Sequence, residues 1–271
     1  MPPASEPPPA IVRHLDLPYV ADAWRGKNPD SSQTLDLYST TGDTARPLIV
    51  WIHGGGWCTC GKQPEGERFA LQWVPHGFVV ASINYRHTPD APFPAQIEDC
   101  HRAIAWLRAH AGEYHIDPDR VGVVGHSAGG HLCALLATGG IVDKPEPVQA
   151  AVCWSPPCDL DRERGAWPRD NFIWNPADTF ARYFFPGGRY DKAHARTASP
   201  ATHAHADMPP VLLVHGALDD IVPADQTVAF HRQLQTLDVE STLQILPEAD
   251  HDLISPAASN EALEFFNRVL K

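Results

Sequence analysis

"VVGHSAGG", residues 123–130, sets a single serine between glycines at the end of an apolar run. Before it, Val121-Gly122-Val123-Val124 reads as a short buried strand. After it, His131-Leu132-Cys133-Ala134-Leu135-Leu136-Ala137 reads as a helix with an apolar face. A serine at so tight a strand-to-helix reversal needs neighbours with little or no side chain. Gly125 and Gly129 supply that clearance, because a Cβ at either would collide across the turn. The pattern around Ser127 is G-x-S-x-G, the nucleophile elbow, and strand–turn–helix is the context it requires.

Outward from this stretch, short apolar runs alternate with helical patterns. The runs predict strands over Ile11–Leu17, Thr34–Tyr38, Pro47–Ile52, Phe78–Asn84, Val121–Gly125, Ala150–Trp154, Val211–His215 and Ser241–Leu246. Helices are expected over Ala95–Ala111, Ser127–Thr138, Ala224–Leu237 and Ala257–Leu270. Continuous apolar strands alternating with helices imply an α/β fold: a mostly parallel sheet of about eight strands with helices on both faces. The first two strands have no helix between them, which predicts an antiparallel start. No internal repeat is visible.

One stretch breaks the rhythm. Residues 159–200 hold Trp167, Phe172, Trp174, Phe180, Tyr183, Phe184, Phe185 and Tyr190 among Arg, Asp, Pro and Gly. That is too long for a plain connection and too aromatic for a solvated loop. It is expected to be an insertion forming a partial cap on the site, the alternative being a packing cluster at the sheet edge. The domain is expected to run over residues 11–271, after a flexible, proline-rich lead-in at 1–10.

Composition bounds the partners. The chain has 271 residues, 43% hydrophobic and 20% charged, enough for one globular α/β domain. Its net charge of −12 repels phosphate backbones and anionic bilayers, so neither nucleic acid nor a membrane is an expected partner. No apolar run approaches a membrane span. "MPPASEPPPA" has neither the basic start nor the apolar core of a secretory signal. The expected location is cytoplasmic, or secreted with a signal already removed. The six cysteines (58, 60, 100, 133, 153 and 158) lack zinc-site spacing, and buried free thiols are expected, with a Cys153–Cys158 bridge left open. The oligomeric state is not legible.

A serine hydroxyl needs a base within hydrogen-bond reach and a third group to orient that base. Behind an elbow the chain order is Ser, then Asp or Glu, then His. "VLLVHGALDDIVP" (211–223) is a strand followed at once by a loop with Asp219 and Asp220. "STLQILPEADHDLISP" (241–256) is the next strand, followed by a loop carrying His251. Both loops lie at carboxyl ends of strands, where ligands bind in open α/β sheets. The catalytic candidates are Ser127, Asp219 and His251, with Asp250 and Asp252 as solvated neighbours of the histidine. "WIHGGGW" (51–57) closes an earlier strand with three glycines and matches an oxyanion loop.

These pieces resemble α/β-hydrolases of the esterase branch, near the hormone-sensitive-lipase-like enzymes and closest to the bifunctional feruloyl and acetyl-xylan esterases. The matching residues are "LDLY" (35–38), "HGGGW" (53–57), "INYRHTPDAPFPAQIEDC" (83–100), "DRVGVVGHSAGGHL" (119–132), "HGALDDIVP" (215–223) and "ADHDL" (249–253). The resemblance implies an α/β-hydrolase fold with Ser127 as nucleophile, Asp219 as acid and His251 as base. It selects Asp219 over Asp220 by the spacing HG-x-x-D-x-x-VP, and it places the oxyanion donors on Gly55, Gly56 and Ala128. Tyr85, Arg86, Glu98 and Asp99 read as structural, Arg86 pairing with a carboxylate under the oxyanion loop and the PFP turn starting the helix at Ala95. Trp57 is expected at the base of the site as a substrate-binding residue limiting the acyl pocket, against plain core.

The expected function is therefore a serine carboxylic-ester hydrolase with no metal and no organic cofactor. Its partner would be a small-molecule ester with a short acyl, acetyl or feruloyl group, sugar-linked in one version. Two rivals stand beside it: an arylformamidase-type amidase on the same fold, and a hydrolase fold retired to ligand sensing.

Overall fold

Strand β5, Ile116–His126, runs through the middle of the sheet and delivers Ser127 at its carboxyl end. The computed structural model describes residues 10–24, 26, 28–88, 90–161, 184–188 and 190–271. Around β5 lie β1 (Ile11–Pro18), β2 (Thr34–Thr40), β3 (Arg46–Ile52), β4 (Val79–Ile83), β6 (Ala150–Trp154), β7 (Val211–Gly216) and β8 (Ser241–Leu246). The order across the sheet is β1-β2-β4-β3-β5-β6-β7-β8. β1 pairs antiparallel with β2 and β2 antiparallel with β4; every later pairing is parallel. The antiparallel start and the eight strands match the sequence reading.

Both faces are dry because each central strand divides its residues between two cores. Leu48, Val50 and Ile52 point to one side, packed with helices α2 (Ala95–Ala109), α4 (Ala128–Ala137) and α7 (Ala224–Thr236). Ile49 and Trp51 point to the other, against α1 (Glu65–Trp73) and α8 (Pro256–Leu270). The same alternation holds along β7, with Val211 and Leu213 on one side and Leu212 and Val214 on the other. Three short helices complete the described set: α3 (Ala111–Tyr114), α5 (Lys192–Ala198) and α6 (Pro200–His203).

Two departures from the sequence reading have local causes. α1 was not expected, yet Gly66, Phe69, Ala70 and Trp73 recur at helical spacing and form its buried face. It starts after Pro64 without a capping side chain, so Glu65 and Glu67 in its first turn are all that marks its start. β5 begins five residues early because its register against β3 slips between Pro47 and Leu48, which lets Asp117-Pro118-Asp119-Arg120 sit within the strand. The buried thiols expected from the sequence are found at Cys100, Cys133, Cys153 and Cys158, and the Cys153–Cys158 bridge left open is not made. Of the aromatic stretch 159–200, Trp167, Phe172, Trp174, Phe180 and Tyr183 lie outside the described residues, as does the lead-in 1–9.

The elbow packs as its glycines require. A Cβ on Gly125 would stand 2.5 Å from the Gly129 carbonyl carbon, and one on Gly129 would stand 2.6 Å from the His53 carbonyl oxygen and closer still to that of Ile52. These neighbours are backbone atoms that cannot rotate away. Gly129→Ala is expected to lower stability by at least about 1–3 kcal/mol, read as a fall in the urea midpoint at unchanged m. An unchanged midpoint would refute the clearance argument.

Candidate active site

The strand ends bring three distant residues together. Ser127 sits at φ 54°, ψ −118°, a conformation rare for a residue with a side chain, held by its N–H donating to the Trp154 carbonyl at 2.8 Å. The Ser127 hydroxyl donates to His251 Nε2 at 2.9 Å. His251 Nδ1 in turn donates to Asp219 Oδ2 at 2.7 Å. The Asp219 side chain is fully buried, while that of His251 retains 14% exposure toward the cavity. Asp220, Asp250 and Asp252 are exposed.

Asp219 is an ionised carboxylate. Burial works to raise its pKa, but hydrogen bonds from His215 and His251, the charge of His251 and the Val222 N–H outweigh it and hold the group well below the usual carboxylate range. Its Oδ1 accepts from the N–H groups of Ile221 and Val222 at 2.9 and 2.8 Å.

The loop after β3 faces the serine. Tyr85 donates to the carbonyls of His53 and Gly54 at 3.1 and 3.2 Å, which fixes the start of that loop. Gly55, at φ 92°, turns its carbonyl inward to accept from the N–H groups of Cys58 and Thr59. None of the N–H groups of Gly55, Gly56 and Ala128 donates to another described residue. With Ser127 and His251 they line a cavity of about 290 Å³.

Trp57 lines the same cavity and is also core, only 2% exposed. Its indole N–H donates to His131 Nδ1 at 3.2 Å, and its ring tilts against Phe184 at 4.3 Å. His131 Nε2 donates onward to the Ala198 carbonyl at 2.7 Å, so the indole is held on two sides. Arg86 pairs with Asp99 through two 2.8 Å contacts and with Glu98 at 3.3 Å, the structural role its motif implied.

Sequence reasoning missed three supporting residues. His126 Nε2 donates to the His251 carbonyl at 2.7 Å, tying the elbow to the histidine loop. Gly216 lets that loop approach, since a Cβ there would overlap the carbonyls of Ala249 and Asp250. His215 shares Asp219 with His251. The only sequence signal for the last two is "HG" at the end of β7.

Buried histidines held neutral are expected to make the protein acid-sensitive. Burial pushes His53 down to about 3, and His87, His101 and His131 to about 4. His126 also lies at about 4, through burial and then the neighbouring His251. Unfolding returns each to about 6.5, so the unfolded chain binds protons that the native chain refuses. Stability present above pH 6.5 is lost as pH falls toward 4, by up to about 1.4 kcal/mol per pH unit for each group. The melting temperature should drop steeply between pH 7 and 4.5; a flat profile over that window would contradict the assignment.

Among the described residues, no group of three or more His, Cys, Asp or Glu side chains is placed to hold a metal ion, and no helix is long and apolar enough to cross a membrane. Esterase LipQ of Mycobacterium tuberculosis is 31% identical over 231 residues, 80% of this chain and 53% of LipQ. LipM of the same organism is 33% identical over 264 residues, 91% of this chain and 55% of LipM. The chain thus spans just over half the length of these curated relatives. A truncated carbohydrate esterase from gut microbiota superposes with a TM-score of 0.79 over 97% of this chain and 98% of that one, at 22% identity, a likeness of fold. The sheet order, the helices on both faces and this superposition make the fold that of an α/β-hydrolase. The BD-FAE family model matches residues 35–234, from β2 through the β3 loop, the elbow and Asp219 into α7, and by that match the chain belongs to the BD-FAE family.

Proposed function

We propose that the chain is a serine carboxylic-ester hydrolase. The observation that carries this reading is the continuous chain from the Ser127 hydroxyl through His251 to Asp219, at 2.9 and 2.7 Å, beside three undirected backbone N–H groups. The similarity to LipQ, an esterase, supports it. His251 takes the Ser127 proton as the oxygen attacks the ester carbonyl, and Asp219 stabilises the resulting imidazolium. The N–H groups of Gly55, Gly56 and Ala128 receive the oxyanion. His251 then returns the proton to the leaving alcohol, and water, deprotonated by the same histidine, releases the acid from Ser127.

Trp57 limits the substrate to short acyl groups. Its indole follows the oxyanion loop directly and is braced by His131 and Phe184, so it does not swing aside for a long chain. Nitrophenyl acetate and butyrate should exceed the palmitate ester by at least about tenfold in kcat/KM, roughly 1.4 kcal/mol. Trp57→Phe should narrow that gap with less loss of packing than Trp57→Ala, which removes a buried indole at about 3–5 kcal/mol. A palmitate ester as best substrate would replace this reading with that of a lipase. Acetylated xylan and methyl ferulate in the same panel test the acetyl and feruloyl classes that the family resemblance implies.

A further inference from the structure

His215, the histidine of the HG-x-x-D motif, has no part in the reaction above, yet it is more fully enclosed than His251. Its side chain is 0% exposed, against 14% for His251. Its Nε2 lies 3.0 Å from Asp219 Oδ2 and 2.9 Å from the Val222 carbonyl oxygen. Both neighbours are acceptors, so Nε2 carries a proton and donates. The opposite nitrogen, Nδ1, meets the buried Thr227 hydroxyl of α7 at 2.5 Å. The ring is thereby anchored at both ends, one on a helix and one on the loop that carries the acid.

The consequence falls on Asp219. Oδ1 is taken by two backbone N–H groups and Oδ2 by two imidazoles, so four donors occupy the four acceptor positions of the carboxylate. Oδ2 is the oxygen that His251 needs. Without His215, the pair on that oxygen is broken and only His251, itself the moving partner in proton transfer, would hold it. A buried acceptor left half-satisfied in a dry site is costly and draws in rearrangement.

We propose that His215 is a positioning residue which, held by Thr227, fixes Asp219 Oδ2 where His251 Nδ1 meets it. This rests on the reading of Ser127, His251 and Asp219 as the hydrolytic set, and extends that set from the loop after β7 to α7.

The test uses His215→Phe, Thr227→Val and His215→Gln in the full chain, with three readouts. These are kcat and KM on nitrophenyl acetate, the rate at which a fluorophosphonate labels Ser127, and the low-field proton resonance of the His251–Asp219 hydrogen bond. His215→Phe should lower kcat and the labelling rate by on the order of 10²-fold, as a small misplacement of a catalytic group does, with KM within about twofold. The low-field resonance should shift or broaden. Thr227→Val should act in the same direction and less, and His215→Gln, which keeps an N–H donor, should recover part of the loss. Should His215→Phe fail to fold, Thr227→Val decides the matter. Wild-type kcat and an unmoved resonance in the folded variant would overturn the proposal, as would a change confined to KM. Failure of the wild type to be labelled or to hydrolyse any ester overturns the hydrolase reading instead, while the resonance still reports whether His215 positions Asp219.

Discussion

Ser127→Ala is expected to abolish ester turnover, by on the order of 10⁶-fold in kcat as in serine proteases that lose their nucleophile, and to leave the fold intact. Among the described residues the hydroxyl donates to His251 at the cavity wall, and that hydrogen bond is what its removal breaks. Alanine keeps the Cβ that the elbow already accommodates at φ 54°. The melting temperature should therefore stay close to that of the wild type while activity disappears. Adding His251→Ala should cost little more, because the two residues act as a unit. Activity within tenfold of wild type would remove Ser127 from the reaction.

Asp219→Asn is expected to lower kcat by about 10⁴-fold, as loss of the acid does in serine proteases. The geometry explains why so small a change is so damaging. An asparagine can keep its carbonyl on the Ile221 and Val222 N–H groups, which places its NH₂ where Oδ2 stood. That NH₂ then faces two imidazole N–H donors, His251 Nδ1 and His215 Nε2. His251 escapes the clash by moving its proton to Nε2, where it can no longer accept from Ser127. Asp220→Asn should remain near wild type, since that side chain is exposed. The opposite pattern would shift the acid by one residue and break the spacing argument.

Much of this architecture was legible along the chain because its causes are local. Alternating apolar runs, glycines beside Ser127 and the placement of Asp219 and His251 after strands are properties of contiguous residues. They specified the eight strands, the antiparallel start and the three residues that the sheet brings together. Helix α1 escaped notice because its apolar face is short and Pro64 gives no cap. The supporting contacts were illegible for a different reason. His126 reaches a carbonyl 125 residues away, and Trp57 is braced by a histidine 74 residues away. Gly216 matters only because the loop after β8 lies against it. These partners become neighbours through strand order, which no spacing along the chain encodes. Local sequence thus determined which residues stand at the strand ends. Only the packed sheet decided which donor meets which oxygen, because hydrogen bonds depend on distances of tenths of an ångström between segments far apart in the chain.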